Sequence, residues 1–551
     1  MHILRLNIRR IELLWVLVLI LILNGASYIP IWQNIQNAPA NRYYWGGMTE
    51  FPIDATGNLA TIREGYDGSW SRFAWETTTI RSSIPSALKF EYILIGQIGR
   101  LLHIEPLTMY HLSKFVISTV LLLFIWLLLC TVFQTTFERL TGFIFSLFAT
   151  SVIISNGSDA SFLTYVPSET YVFSRLTIVA HHYLLGALFS LMSLYLLSRA
   201  LDKNNIKYLL CAGAIGILGG LAFAPSMVLA LLALPIFLLI RLLKRPSKTS
   251  FMRDCLLTGS FAGLTGLSLL YLQYMTQFWD YNTLTTTEQI VNFSIQPINY
   301  VAMVGIPYIL SIIAIPYVLK KSNTFLLLIL PWVIVHPIAV FLISPILKIN
   351  LLRFFLSTYF IVFSILAVSG ISFLIIVLKR WIRTKYLPLL VFGVITIITL
   401  ASGYGAYIVS WNALKVQYNM PESWTYGYPK REFMEGVWWL RDHTTDKDIV
   451  LSDPYSGTLI TPFSGNPVFT SWWFRLVSPS LFYSYYQPLS AFYNGIMTDA
   501  EARNFLQSNT ISYVMVRFDD VDFPSPPRGL PYPLLTQVYA NPTVIIYKVS
   551  P

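Results

Sequence analysis

The residues of this 551-residue chain best suited to chemistry are a few acids and arginines in a polar, aromatic-rich stretch, 33–113. Its centre reads FPIDATGNLATIREGYDGSW. Glu50, Asp54, Glu64, Asp67 and Glu76 lie in the stretch with Arg63, Arg72 and Arg81, in a sequence only 12% charged. A carboxylate can take a proton from a hydroxyl or offer a hard oxygen ligand to a divalent cation. Asp54 leads the candidates; against it, an Asp followed by a small residue and Gly57 is ordinary turn chemistry, so a local cap competes. Glu50 and Asp67 are supporting acids, and Asp67-Gly68 is itself a turn dipeptide. Asp159 and Glu169, in a second polar stretch at 156–182, offer the second carboxylate that an acid–base pair or two-ligand metal site needs. An exposed loop would carry such acids anyway.

Arg353 and Arg175 are the candidates for holding a phosphate, because a guanidinium fork makes paired, charge-assisted bonds to phosphate oxygens. The competing reading is an interfacial anchor whose charged head reaches the lipid headgroups. His181 and His182 are adjacent, so on a helix they point in different directions and do not suit one metal. His336 stands next to Pro337 inside an apolar run. It is either a functional intramembrane group or a neutral histidine bonded to a neighbouring helix. Trp438-Trp439 and Trp472-Trp473 offer aromatic faces to a sugar, with helix core and an interfacial belt as the alternatives.

The elements that position these residues are set by composition. At 55% hydrophobic, with mean hydropathy +0.58, the chain is polytopic and membrane-embedded. Crossing a hydrocarbon core of about 30 Å takes roughly 20 apolar residues. Eleven stretches qualify: 11–31, 115–133, 141–155, 182–199, 207–224, 226–243, 254–274, 300–319, 324–346, 354–378 and 387–409. The fifth and sixth share one apolar run, divided at Pro225 because proline cannot continue a helix interior. With the N terminus in the cytoplasm, this division gathers Arg9, Arg139, Lys203, Lys244, Lys320 and Lys379 with their basic neighbours on the inner side. The net charge of +11 is mostly this bias, and nothing in it implies nucleic acid. Cys130, Cys211 and Cys255 fall in or beside the spans, which indicates neither disulfides nor a thiolate metal site. The first span is expected to be retained rather than cleaved.

Topology then places 33–113 and the segment 411–551 outside. The chain divides into a transmembrane domain, 1–410, and an extracytoplasmic α/β domain, 411–551. In the tail, helical spacing at 430–443 and 499–508 and strand patterns at 448–451, 511–518 and 543–549 predict a small α/β fold, with 467–470 as a further strand candidate. In the first loop, 83–102 has helical apolar spacing with too much polarity to span. It suits a helix lying in the membrane surface, with Lys89 and Arg100 meeting headgroups. No Walker loop, GxGxxG, HExxH or GxSxG is present.

The segments FPIDATGNLATIREGYDGSW, EYILIGQIGRLLHIEP and MYHLSKF, with WWLRDHTTDKDIVLSDPYSGTLITPFSGNPVF in the tail, resemble the C-type glycosyltransferase superfamily. They are most similar to its uncharacterised prokaryotic members of dolichyl-phosphate-mannose-protein-mannosyltransferase-like architecture. The resemblance implies transfer of a sugar from a polyprenyl-phosphate donor to an extracytoplasmic glycan, lipid or protein, at the plasma membrane. It also implies a first-loop acid in or near the catalytic centre, and Asp54 is the position that matches. Ala55 stands where such relatives often carry a second acid, and Trp438-Trp439 is followed by Leu440 rather than an acid. A divalent cation is compatible with this reading. Two other classes fit the topology: a non-catalytic envelope scaffold, and a flippase or transporter of lipid-linked glycans.

Overall fold

The computed structural model describes residues 10–47, 52–70, 72–74, 81–88, 90–152, 176, 181–244, 247–278, 295–347, 349–413, 426–472, 479–518 and 529–550. In chain order the helices begin with α1 (Arg10–Ser27), α2 (Ile29–Asn37) and α3 (Pro52–Tyr66). A two-stranded antiparallel ribbon of β1 (Arg72–Ala74) and β2 (Arg81–Ser86) follows, then α4 (Phe90–Leu102), α5 (Pro106–Val132), α6 (Thr136–Phe148), α7 (His181–Lys203), α8 (Ile206–Leu243) and α9 (Lys248–Met275). Next come α10 (Pro297–Val304), α11 (Ile306–Ile313), α12 (Ile315–Lys321), α13 (Thr324–Ile329) and α14 (Trp332–Ile338), a π-helical turn at Ala339–Ile343, and α15 (Ser344–Leu347). The membrane-rich part closes with α16 (Leu352–Phe355), α17 (Tyr359–Leu378), α18 (Leu387–Ser402) and α19 (Tyr404–Ala413). The tail holds α20 (Arg431–His443), β3 (Ile449–Leu451), α21 (Pro454–Ser464), α22 (Pro479–Tyr493), α23 (Asp499–Ser508), β4 (Ile511–Arg517), β5 (Leu535–Ala540) and β6 (Val544–Val549).

Two compact units result. The first comprises Met1–Tyr28, Phe115–Tyr274 and Glu288–Ala413; the second comprises Ile29–Lys114, Met275–Thr287 and Leu414–Pro551. The first loop is therefore grouped with the tail rather than with the apolar bundle.

In the first unit, helix occupies each of the eleven expected stretches, but seven helices among the described residues are long and apolar enough to cross a membrane alone. The difference has local causes. The fifth and sixth stretches share the label α8 but are two helical runs that meet at a kink, with non-helical backbone at Phe223, two residues before Pro225. The third stretch is the 13-residue α6, the eighth is divided at Gly305 and Ala314, and the last divides near Gly403. Small residues let the helices approach closely, as apolar surroundings favour. A Cβ on Gly216 would meet Thr265, one on Gly220 would meet Ser268, and one on Gly370 would lie 2.1 Å from the Leu310 carbonyl oxygen. Polar links join distant elements: Arg139 pairs with Glu12 at 3.2 Å, and Asn24 donates to Thr119.

In the second unit, the tail sheet has the order β3-β4-β6-β5, with β3 parallel to β4 and the other pairs antiparallel. Side chains alternate across a strand. Accordingly Val514 and Val516 join the core of α22 and α23, including Leu489, Phe492 and Leu506, while Met515 meets Gly436 of α20. The expected helices and strands at 430–443, 448–451, 499–508, 511–518 and 543–549 are present, and 467–470 contributes a single bridge, Val450 to Val468. The first loop differs from expectation at 83–102. There β2 occupies Arg81–Ser86, and the helix begins at Phe90.

Candidate active site

Asp54 stands in the first turn of α3, not in an isolated turn. Pro52 at the helix start has its φ already set for a helix, and a carboxylate in the first turn complements the helix dipole. From Ala55 to Ile62 every residue is buried, and Asp54 is exposed. The helix thus presents one acid from an otherwise enclosed body. The hydroxyls in that body turn back on the helix: Thr56 donates to the Ile53 carbonyl at 2.7 Å, and Thr61 donates to that of Gly57 at 2.9 Å.

Two elements, α4 and α21, fix α3. Helix α4 crosses at glycine: a Cβ on Gly96 would lie 2.0 Å from the Ile62 carbonyl oxygen, and one on Gly65 would lie 2.3 Å from that of Ile93. Backbone meets backbone there. The C-terminal end is closed by Gly68, at φ +111, where the guanidinium of Arg100 occupies the space a side chain would need. Arg100 therefore lies at the end of α3, where a cation suits the helix dipole. The second neighbour is α21. Its closing residue Gly465, at φ +86, lies beneath Arg63, whose Nε also bonds both oxygens of Asp67 at 3.1 and 3.0 Å. The first loop and tail are further joined where Trp45 Nε1 donates to the Tyr426 carbonyl at 2.8 Å and Arg431 N donates to the Asn41 carbonyl.

Asp67 is held by this structural contact. Burial pushes its carboxyl above the ordinary range by more than Arg63 offsets, with Asp446 and Glu105 adding to the rise. At about 1.5 Å per residue, Asp54 and Asp67 stand near opposite ends of α3, about 20 Å apart along its axis, too far to share a proton or ion. Glu50, Asp159, Glu169 and Arg175 lie outside the described residues. Among the described residues no three His, Cys, Asp or Glu side chains are grouped to hold a metal ion.

Arg353, in the first unit, is half-buried on α16 and donates to the Tyr183 hydroxyl at 3.4 Å. The Tyr183 ring meets His182 and, edge-on, Phe223 at the α8 kink. Close by in sequence, a buried chain of hydroxyls ties the start of α17 to α7 and α8: Ser190 to Thr358 at 2.7 Å, then Thr358 to Ser226 at 3.0 Å. A guanidinium beside an aromatic hydroxyl is a chemical match for phosphate oxygens, to which its planar fork makes paired bonds.

His181 is buried, and His336 is wholly enclosed, between the Tyr300 hydroxyl at 2.8 Å and the Phe354 carbonyl at 3.2 Å. Trp439 stacks on His443, and Trp438 meets Tyr43 edge-on, so this pair is engaged in packing. A buried pair not singled out in the sequence is Asp453 with Arg517. Asp453 caps α21 through Ser456 N at 2.9 Å, and Arg517 Nε lies 3.9 Å from its carboxylate and stacks over Tyr455. Asp453 follows a strand and precedes a proline, a legible helix-start signal. Both residues are closed off from solvent.

No family model matches the sequence, and no curated protein does. Among solved structures the chain is similar to the apo oligosaccharyltransferase of Archaeoglobus fulgidus, with 12% identity and a TM-score of 0.52 over 92% of this chain and 69% of that one. It is equally similar, with 12% identity and a TM-score of 0.52, to archaeal oligosaccharyltransferase AglB from the same organism in complex with an inhibitory peptide and a dolichol-phosphate, over 93% and 70% of the chains. Identity this low establishes the fold. The chain is a multi-pass membrane protein with the fold of these archaeal oligosaccharyltransferases.

Proposed function

We propose that the protein transfers a sugar from a polyprenyl-phosphate-linked donor to an extracytoplasmic acceptor, with inversion at the sugar carbon. The observation that carries this is Asp54, the exposed acid at the start of a helix buried along the rest of its core. Its carboxylate accepts the proton of an acceptor hydroxyl as that oxygen bonds to the anomeric carbon. The bond from that carbon to the phosphate oxygen breaks and its electron pair leaves with the polyprenyl phosphate; within the first unit, Arg353 is the group suited to bind such a phosphate. A general base in this role contributes about 10²- to 10⁴-fold. The dolichol-phosphate in the structural neighbour supports a lipid-linked donor. In this reading the first loop and tail face outward. The outer apolar face of α4, with Leu94, Ile98, Leu101 and Leu102 exposed, rests on the membrane surface.

Mass spectrometry of polyprenyl-phosphate sugars and envelope glycans, in cells with and without the gene, tests donor and acceptor together. Loss of the gene is expected to raise one lipid-linked sugar and remove that sugar from one glycan. No change in either contradicts the proposal. A lipid-linked glycan that accumulates intact on the inner leaflet indicates transport instead.

A further inference from the structure

Arg353 is carried by α16, a helix of four residues, too short to hold its own shape. Its conformation is set by groups from outside it. Asn350 Oδ1 accepts from Leu352 N at 3.0 Å, and the Phe354 carbonyl accepts from Ser357 Oγ at 2.6 Å and from His336 Nε2 at 3.2 Å. A carbonyl can only accept, so Nε2 carries the hydrogen. The ring is enclosed by Phe355, Tyr359 and Phe363, surroundings that demand an uncharged imidazole. Nδ1 then bears a lone pair, and the Tyr300 hydroxyl donates to it at 2.8 Å. Tyr300 thereby fixes the tautomer that His336 needs.

The backbone under His336 is equally determined. Pro337 cannot donate to the carbonyl four residues earlier, at Val333, and the Tyr308 hydroxyl supplies that bond at 3.2 Å. The π-helical turn Ala339–Ile343 follows immediately, and such turns are frequent at functional positions. We infer that Tyr300 and His336 form a positioning relay for Arg353: the imidazole pins the Phe354 peptide, and the adjoining guanidinium is thereby aimed along Tyr183. This rests on the reading of Arg353 as the donor-phosphate group.

The test uses the full-length protein in lipid nanodiscs, with a polyprenyl phosphate and the matching neutral polyprenol as probes. His336→Leu is expected to weaken polyprenyl phosphate binding about tenfold, the size of one buried hydrogen bond, and to leave polyprenol binding unchanged. His336→Gln keeps an N–H near the Nε2 position and should restore most of the loss. Tyr300→Phe should lose about threefold, and it carries the test alone if His336→Leu does not fold. Adding His336→Leu to Arg353→Gln should cost nothing further. Equal weakening of both lipids would show a merely structural histidine and overturn the inference. So would unchanged phosphate binding in His336→Leu and Tyr300→Phe while Arg353→Gln weakens it; that result leaves the reading of Arg353 standing. Full phosphate preference in Arg353→Gln removes that reading and the relay with it.

Discussion

Gly96→Ala probes how Asp54 is held. Adding a Cβ puts a carbon 2.0 Å from the Ile62 carbonyl oxygen and 2.7 Å from Tyr66 N, and neither atom can rotate away. Reaching the 3.4 Å at which ordinary van der Waals contact with that oxygen begins requires α3 and α4 to part by about 1.4 Å. Overpacking of this kind costs about 1–3 kcal/mol, against about 1 kcal/mol gained by replacing glycine within a helix. The midrange net loss of about 1 kcal/mol lowers Tm by about 2–4 °C for a unit of this size. Parting the helices also displaces Asp54, and a misplacement of about 1 Å costs about 10²-fold in rate. Gly263→Ala in α9 is the control: nothing lies within 4 Å of its added carbon, so the helix-propensity gain stands alone and Tm should hold or rise. Tryptophan-fluorescence melts in one detergent, with sugar transfer measured on the same preparations, decide the matter. A Gly96→Ala protein as stable and active as wild type would refute the account of how α3 is fixed.

Two acids should show opposite pH signatures. The Asp67 pKa is raised, so relative to the unfolded chain its folded form favours the proton, and stability falls as pH climbs from the ordinary 3.8 through the raised value. The Tm of Asp67→Asn minus that of wild type should therefore increase as pH climbs above 3.8 and level off once the raised value is passed. Glu501 is held below its ordinary 4.5 by bonds from the Thr498 backbone and hydroxyl, so its contribution is present above that value and lost as pH falls. Glu501→Gln should consequently show its deficit at neutral pH and lose it in acid. Glu12→Gln, which removes one partner of the buried pair with Arg139, should cost about 3–5 kcal/mol in chemical denaturation, whereas replacing both residues by apolar ones of similar size should cost far less.

Helix placement in the apolar unit was legible because a hydrocarbon core leaves a long unbroken signal. The division of α8 near Pro225 was legible because proline has a definite backbone cost. Helix α3 was not. Thr56, Gly57 and Asn58 are weak helix formers, and burial on every face of Ala55–Ile62 erases the two-faced pattern from which a helix is read. Asp54 and Gly57 consequently looked like turn chemistry. Leu88 fits the helical spacing of 83–102 although the helix begins at Phe90, while strand pairing at Arg81–Ser86 depends on a partner whose register no local pattern gives. In the tail, the capped or periodic elements were visible in the sequence. Helix α21 was obscured by Gly457 and Pro462, and edge strand β5, polar and mostly exposed, lacks the alternation of a half-buried strand. The hydrogen bonds of His336 are present, but its link to the Arg353 turn depends on a contact 18 residues away that no local pattern gives.

The most direct test of the central claim is sugar transfer by purified wild-type protein and Asp54→Asn, supplied with polyprenyl-phosphate-linked sugars and an envelope-glycan acceptor. Asp54 is exposed and leaves the buried body of α3 intact, so the variant should melt like wild type. Its turnover should be lower by about 10²- to 10⁴-fold. Wild-type turnover in Asp54→Asn would remove this residue from the mechanism and contradict the account.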